Sequence, residues 1–490
     1  MKIHELHKNA KVPDDHVAIK FKDRIYSYGE VDSLIDKYAS FFQSIGVKKG
    51  DRVALSFPNC PEYIFSFMGV SKAGAIVVPL NMMLTLEEIA YIIMESGANT
   101  IVIHPLIAQK IDKSQLGRLN LKNVVVLDEN TINAILKMGP SQHVEIEPDE
   151  VCTYIYTSGT TGKPKGAMLT HNNFIADVKA LDDVSDLGPE DNFLCVLPLF
   201  HSFSWTVNIL LGFYLGSAIT IKESFMPKDT LETLTKEDVT VFCGVPSMFA
   251  VLMRMAEKGQ FKALRLAISG GAPLAPEIQR GFEEKFNFPL VEGYGLSEAA
   301  PVALLNPLEP NAIRKPGSVG LPLPCVEAKI VDENDNELPV GEVGELVLRG
   351  PNIMVGYHNM PEETAQTLRG GWLHTGDLAK KDEDGYFYIV DRLKDMIILG
   401  GFNVYPREVE DALLEHPDVL EAAVIGVGDP LKGEEVKAFV VLKEGAKADK
   451  KELQNFLKYK LASYKIPKIF EFVPELPKNA AGKIQKKLLK

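Results

Sequence analysis

The chain has 490 residues, 46% hydrophobic and 24% charged, which is a globular composition with room for roughly two to four folded units. Lys and Arg number 53 against 66 Asp and Glu, a net charge of −13; a surface of that sign argues against nucleic acid or an anionic membrane as partner. Five scattered cysteines, Cys60, Cys152, Cys195, Cys243 and Cys325, form no CxxC pair and no metal-ligand spacing, which fits a reduced, cytoplasmic setting.

The first residues, MKIHELHKNAKVPDD, carry no apolar run of the kind a signal peptide needs. Apolar strands and helical segments then alternate: strand 53–57, helix 62–72, strand 76–79, helix 86–96 and strand 100–103. Residues 193–221 contain no Asp, Glu, Lys or Arg, a length that raises the question of a membrane span. Pro198, His201, Ser202, Asn208 and Gly212 interrupt the run, so it reads as a buried strand, a polar turn, a buried helix near 205–215 and a strand at 218–221. Further on, strand 239–243 leads to a helix opening near Ser247, and strand 264–268 to one near Pro276. Alternation of this kind predicts parallel sheets covered by helices.

From about Gly317 the texture changes to short strands at 328–331, 343–349 and 386–390, separated by Gly, Pro and Asp. That pattern predicts an antiparallel or small β-barrel-like subdomain. A boundary falls just after Asp391 and Arg392, dividing the chain into 1–392 and 393–490. The last part reads helix 407–414, strand 421–427, strand 435–442, helix 450–461 and strand 469–472, a small α+β domain of about a hundred residues. A loop rich in Pro, Asn, Ala and Gly and a basic tail close the chain. The expected class is therefore α/β: a large N-terminal domain of two helix-covered sheets with a β-barrel-like subdomain, then a small mobile α+β C-terminal domain.

The densest chemistry lies in YTSGTTGKPKG, residues 156–166. Gly159 and Gly162 let backbone N–H groups approach phosphate oxygens. Thr157, Ser158, Thr160 and Thr161 add hydroxyls, and Lys163 and Lys165 add charge. It is not the common P-loop, which needs Ser or Thr directly after Gly-Lys at a helix start; Pro164 stands there instead. The competing reading is a solvated polar hairpin.

Other polar stretches end predicted strands, where ligands sit in open α/β sheets. Gly270, Gly271 and Ala272 follow strand 264–268. Gly293, Tyr294, Gly295, Leu296, Ser297 and Glu298 follow 290–292; the glycines would let the Tyr294 ring lie against a base, and Glu298 could hold a cation. Asp377 follows a tight turn in WLHTGD, where a carboxylate could accept two ribose hydroxyls. His201 sits inside the apolar segment, and Lys483 in a Pro- and Gly-rich tail. Singly, each has a plain structural reading: core aromatic, turn acid, buried histidine, surface lysine.

In this order, the segments YTSGTTGKPKG, SGGAP, GYGLSE, WLHTGD, DRLKDMIILGGFNVYPREVE and LPKNAAGKI resemble the adenylate-forming superfamily of acyl-CoA synthetases, adenylation domains and luciferases. The resemblance covers roughly residues 28–483. It implies a two-step reaction with ATP and coenzyme A as co-substrates and Mg2+ as cofactor: a carboxylic acid attacks the α-phosphorus of ATP, and coenzyme A then takes the acyl group from the adenylate. It places 157–165 on the β- and γ-phosphates and Mg2+ on Thr160 and Glu298. Gly270, Gly271, Ala272, Gly293, Tyr294, Gly295 and Ser297 fall around the nucleotide, with Asp377 and Arg392 on the ribose. Lys483 bridges the α-phosphate and the substrate carboxylate, and Lys483, His201 and Glu298 form the implied catalytic set. The resemblance also implies rotation of the small domain about Lys394 between the two steps, with Gly400 and Gly401 lining the coenzyme A tunnel.

Amino-acid-activating relatives carry an aspartate where His201 stands, so an α-amino acid is disfavoured. Phe200, His201, Phe203 and Trp205 are expected to line an apolar acyl pocket, Trp205 resembling an aromatic tunnel gate. A medium- or long-chain fatty acid is the first expectation and an aryl acid the second. A fatty acyl-AMP ligase is the third, disfavoured because no insertion precedes Gly400. No integral membrane segment or lipid anchor is expected, and a homodimer is compatible with the sequence.

Overall fold

The computed structural model describes residues 1–109, 121–158, 164–309, 312–399, 402–429, 433–479 and 482–489. Four sheets organise them. A nine-stranded sheet has at its centre Leu290–Gly295, Leu266–Ser269, Val241–Gly244, Asn192–Cys195, Ala218–Ile221 and Val17–Phe21, in that order and all parallel. Antiparallel strands close both of its edges, with Arg24–Ser27 on one side and Val302–Leu305 followed by Leu321–Pro322 on the other. A seven-stranded sheet contains parallel Val151–Ser158, Ile76–Pro79, Arg52–Ser56, Thr100–Ile103 and Asn123–Val126. Pro164–Thr170 and Gly356–Tyr357 extend it antiparallel.

The central strands are parallel for the reason the alternation implies. Helices Pro61–Lys72 and Leu86–Ser96 sit between successive strands and carry the crossovers that parallel pairing needs. The edges are antiparallel because short reversals, such as that between Leu290–Gly295 and Val302–Leu305, leave no room for a helix.

The region after Gly317 forms a four-stranded antiparallel sheet of Glu327–Val331, Gly344–Arg349, Leu373–Lys381 and Phe387–Arg392, of which the strand expected at 386–390 is the last. Beyond it, Ile397–Leu399, Phe402–Val404, Val419–Asp429, Gly433–Leu442 and Ile469–Phe472 build a five-stranded sheet flanked by helices Pro406–Leu414 and Lys450–Leu457. The second helix stops at Leu457 rather than 461, where the next amides tighten to i−3 bonds, Tyr459 to Phe456 at 3.3 Å and Lys460 to Leu457 at 3.0 Å.

Among the described residues the buried apolar clusters fall into two sets, one on each side of Arg392. The larger set has its main core running from Ile3 to Phe387, with smaller clusters under the same two sheets. The other set lies wholly after Arg392, its main core including Ile397, Val409, Leu413, Val424, Val440, Leu453 and Ile466.

The uncharged segment 193–221 lies inside the first core. Its helix begins at Ser202–Ser204, widens into a π-helical stretch over Trp205–Leu210 and returns to α over Leu211–Leu215. Gly216, at φ 83°, ends it in the left-handed region that glycine adopts without strain. Every residue from Trp205 to Phe213 is buried, which explains the missing charges without a bilayer. Among the described residues no helix is long and apolar enough to cross a membrane.

Candidate active site

Strand Leu290–Gly295 delivers the first part of the site. After it the chain makes a short turn, Ser297–Ala299, and runs back along the same sheet. A side chain at Gly295 would place its Cβ 1.9 Å from the Pro301 carbonyl oxygen, so only glycine passes there. The turn is held from several elements. Thr206 donates to the Ala300 carbonyl at 2.8 Å, Asn352 to that of Ala299 at 2.9 Å, and the Met354 amide to that of Glu298 at 2.8 Å. The Ser202 and Ser297 hydroxyls lie 3.2 Å apart.

This packing aims Glu298 back at the hairpin of strands Val151–Ser158 and Pro164–Thr170. Its Oε1 accepts from the Tyr357 hydroxyl at 2.8 Å and the Thr157 hydroxyl at 3.3 Å. Burial and the Glu298 charge together push the Tyr357 phenol pKa up. Lys165, buried on strand Pro164–Thr170, stands 5.3 Å from the centre of the Tyr357 ring.

Glu298 and Thr157 offer hard oxygen donors, and among the described residues no group of three His, Cys, Asp or Glu side chains could hold a metal. That donor set suits magnesium, which takes one or two carboxylates and completes its shell with substrate phosphates and water. Thr160, the other expected ligand, lies outside the described residues together with Gly159, Thr161, Gly162 and Lys163; Gly400 and Gly401 lie outside them too.

The second part of the site lies where two strands of the antiparallel sheet pair. Asp377 and Arg392 face each other in register, with Arg392 Nε 3.5 Å from Asp377 Oδ1. The Tyr294 hydroxyl donates to Asp377 Oδ2 at 2.5 Å, joining this sheet to the turn that holds Glu298. The expected tight turn before Asp377 is instead a bulge inside strand Leu373–Lys381. Gly376, at φ 69°, supplies the left-handed residue, and its amide donates to Glu345 Oε1 at 3.0 Å while the Thr375 hydroxyl donates to the Leu346 carbonyl at 2.7 Å. A bulge re-aims one side chain without breaking the sheet, and here that side chain is Asp377.

Lys483 arrives from the far end of the chain. Asn479 fixes its turn, the side chain accepting from the Lys483 amide at 2.9 Å and the Asn479 amide donating to the Lys483 carbonyl at 2.9 Å. Gly482, at φ 78°, lies close enough to the N-terminal unit that an added Cβ would touch Val245 at 3.3 Å. Burial and the Arg392 charge lower the Lys483 ammonium to about 8, opposed by Asp377. His201 lies within reach of the same charge: burial first, then Lys483, hold its imidazole down at about 4. His201 Nδ1 accepts from the Phe203 amide at 3.2 Å, so the neutral ring carries its proton on Nε2.

Gly270 is buried beneath the Phe203 ring, which would meet an added Cβ at 3.2 Å; Gly271, at φ 76°, and Ala272 are more open. Gly293 has no room for a side chain either, since Leu305 would lie 2.9 Å from its Cβ. Phe200, His201 and Phe203 are half-buried at the start of the uncharged helix. Trp205 is deeper. It stacks on Phe67 with centroids 3.9 Å apart and meets Tyr63 edge-on at 5.8 Å. Lys394 is exposed in the turn that carries the chain from Arg392 to strand Ile397–Leu399.

Tyr357, Ser202 and the direct Thr157–Glu298 contact were not foreseen from sequence. Tyr357 lies in a two-residue strand whose partner is known only once the sheet is assembled.

A hydroxyl- and glycine-rich hairpin, a carboxylate facing it, a Tyr–Asp–Arg group and a lysine from a separate C-terminal unit define the class, and the chain belongs to the AMP-binding enzyme family. The family's main model matches residues 6–358, and that of the AMP-binding enzyme C-terminal domain matches residues 408–483. Among named relatives, a long-chain-fatty-acid–CoA ligase of Bacillus subtilis is 39% identical over 98% of this chain and 92% of its own. One of Escherichia coli is 35% identical over 97% and 91%, and a feruloyl-CoA synthase of Amycolatopsis is 36% identical over 98% and 96%. The ATP-bound structure of MatB from Rhodopseudomonas palustris superposes with a TM-score of 0.93 at 33% identity, over 100% of this chain and 98% of that one. The apo structure of the same protein gives 0.82 over the same coverage.

Proposed function

We propose that the protein is an AMP-forming acyl-CoA ligase that activates a medium- or long-chain fatty acid with ATP and passes the acyl group to coenzyme A. The observation that carries this reading is the convergence of Lys483, from the C-terminal tail, with Asp377, Arg392 and His201 on one site. A carboxylate attacking a polyphosphate brings like charges together, and a preorganised cation lowers that barrier.

In this reading residues 1–392 form the adenylation domain and 393–490 the mobile domain that brings Lys483. Asp377 and Arg392 hold the ribose, Tyr294 and Gly270–Ala272 frame the adenine, and Thr157–Lys165 grip the β- and γ-phosphates. Thr160 and Glu298 would hold Mg2+, which supplies charge neutralisation at the phosphates when bound. The better superposition on the ATP-bound relative than on its apo form supports assigning the arrangement seen here to the adenylation step. Rotation about Lys394 would then withdraw Lys483 and open a path for the coenzyme A thiol past Gly400 and Gly401.

The fatty acid assignment rests on the uncharged wall led by Phe200, His201 and Phe203 and on the names of the Bacillus and Escherichia relatives. An aryl acid is the second reading, favoured by the feruloyl-CoA synthase relative. Five free thiols support a reducing, cytoplasmic location. The test is pyrophosphate release with a panel of saturated fatty acids, cinnamates and benzoates, with and without coenzyme A. Chain-length-dependent release coupled to thioester formation is expected. Preferential turnover of cinnamates would move the assignment to the aryl reading, and no release with any acid would remove it.

A further inference from the structure

Glu95 belongs to none of the segments that carry the family resemblance, yet its carboxylate is almost enclosed at the base of the phosphate-loop hairpin. The side chain, at the end of helix Leu86–Ser96, is 11% exposed. Both oxygens are engaged by residues from distant parts of the chain. Oε2 accepts from the Tyr156 hydroxyl, and Oε1 lies 3.2 Å from His358 Nδ1. The Glu95 carbonyl accepts from Asn359 at 3.3 Å, and one turn earlier the Tyr91 hydroxyl donates to the Pro164 carbonyl at 3.3 Å.

These contacts grip both arms of the hairpin. Tyr156 lies near the end of one arm, strand Val151–Ser158, and Pro164 begins the other; Tyr156 is paired in register with Gly166. The Tyr156 ring covers Gly166 so closely that an added Cβ would lie 3.0 Å from its Cζ. His358, its ring tilted against that of Tyr154 with centroids 4.6 Å apart, donates its amide to the Gly166 carbonyl at 2.9 Å. Next to it, Tyr357 reaches Glu298. The Glu95 carboxylate thus ties the helix to one arm through Tyr156 and, through His358, to the other arm and to Tyr357, which bonds Glu298 Oε1.

We infer that Glu95 is a positioning residue for adenylation: through Tyr156 and His358 it holds the described part of the hairpin, and so Thr157 and Lys165, in register with Glu298. It touches no reactant. The inference rests on the reading of the hairpin as the triphosphate grip, and it follows that Glu95 matters in the half-reaction that uses ATP and not in the one that uses the acyl-adenylate.

The test is Glu95→Leu, with Glu95→Gln as conservative rescue and Tyr156→Phe as the milder variant that decides if Glu95→Leu does not fold. The two half-reactions are measured separately: pyrophosphate release with varied ATP, and thioester formation from supplied acyl-adenylate and coenzyme A. Loss of charge-assisted hydrogen bonds predicts a rise of about tenfold or more in KM for ATP with Glu95→Leu. Glu95→Gln, which keeps an acceptor for Tyr156, should recover most of it, and thioester formation should stay within about twofold of the parent. Equal loss in both half-reactions, or an unchanged KM for ATP in a folded variant, overturns the inference. If the parent protein itself released no pyrophosphate, the ligase reading would fail instead.

Discussion

The charge on Lys483 should set the alkaline limit of adenylation. Burial, then Arg392, bring its ammonium from 10.5 to about 8 in the unliganded site, a difference of roughly 3 kcal/mol against the charged form. The active form is the cation, so activity is present below this pKa and lost as pH rises through it. With a pKa near 8 about three quarters of the molecules carry the charge at about pH 7.5 and about one tenth at about pH 9. The kcat/KM for ATP, which reports the free enzyme, should therefore fall about eightfold over that interval. Bound triphosphate supplies the opposing charge, so the corresponding limb in kcat should lie at higher pH. Lys483→Ala should lower the pyrophosphate-release rate by about a hundredfold to a thousandfold and abolish the limb in what activity remains. Thioester formation from supplied acyl-adenylate should largely survive. The reasoning is refuted if Lys483→Ala releases pyrophosphate at the parent rate, or if it keeps the alkaline limb unchanged.

Lys394→Pro fixes φ in the turn between the two cores and should slow thioester formation more than adenylation; equal slowing of both, measured in single turnovers, counts against a hinge there. Tyr357→Phe removes one donor to Glu298, a loss of about 1.5–3 kcal/mol for a bond to a charged group, and should raise the Mg2+ concentration for half-maximal pyrophosphate release about tenfold or more. Gly295→Ala forces a Cβ to 1.9 Å from Pro301 O and should lower the melting temperature by several degrees, at least about 1–3 kcal/mol of overpacking; an unchanged melt would show that the turn can shift. Glu292 is buried with Oε2 unpartnered, and burial raises its carboxyl to about 7 against the opposing charge of Arg407. A carboxyl whose folded pKa lies above its unfolded value favours the fold when protonated, so that contribution is lost as pH rises from 4.5 through about 7. Glu292→Gln should flatten the fall in melting temperature across that window, and a fall as steep as the parent's would exclude Glu292 as its source.

The sequence by itself determined the elements and the chemistry they carry. The strand–helix alternation of 53–103 is reproduced with bounds differing by a residue or so, because one buried face per element imposes its period on neighbouring residues. The phosphate-loop composition, the Asp377 and Arg392 segments and the basic tail with Lys483 were legible as local patterns, and their order carried the family resemblance. Only the tertiary structure decided which of these meet. Asp377 is re-aimed by a bulge rather than presented by a turn, because Glu345 on the neighbouring strand accepts the Gly376 amide. Trp205 is buried against Phe67 from a preceding helix, which offers it a stacking face. Tyr357 on Glu298, and Glu95 joining Tyr156 to His358, link residues far apart in the chain. No local period records such contacts, since each exists only after separately formed strands and helices have packed.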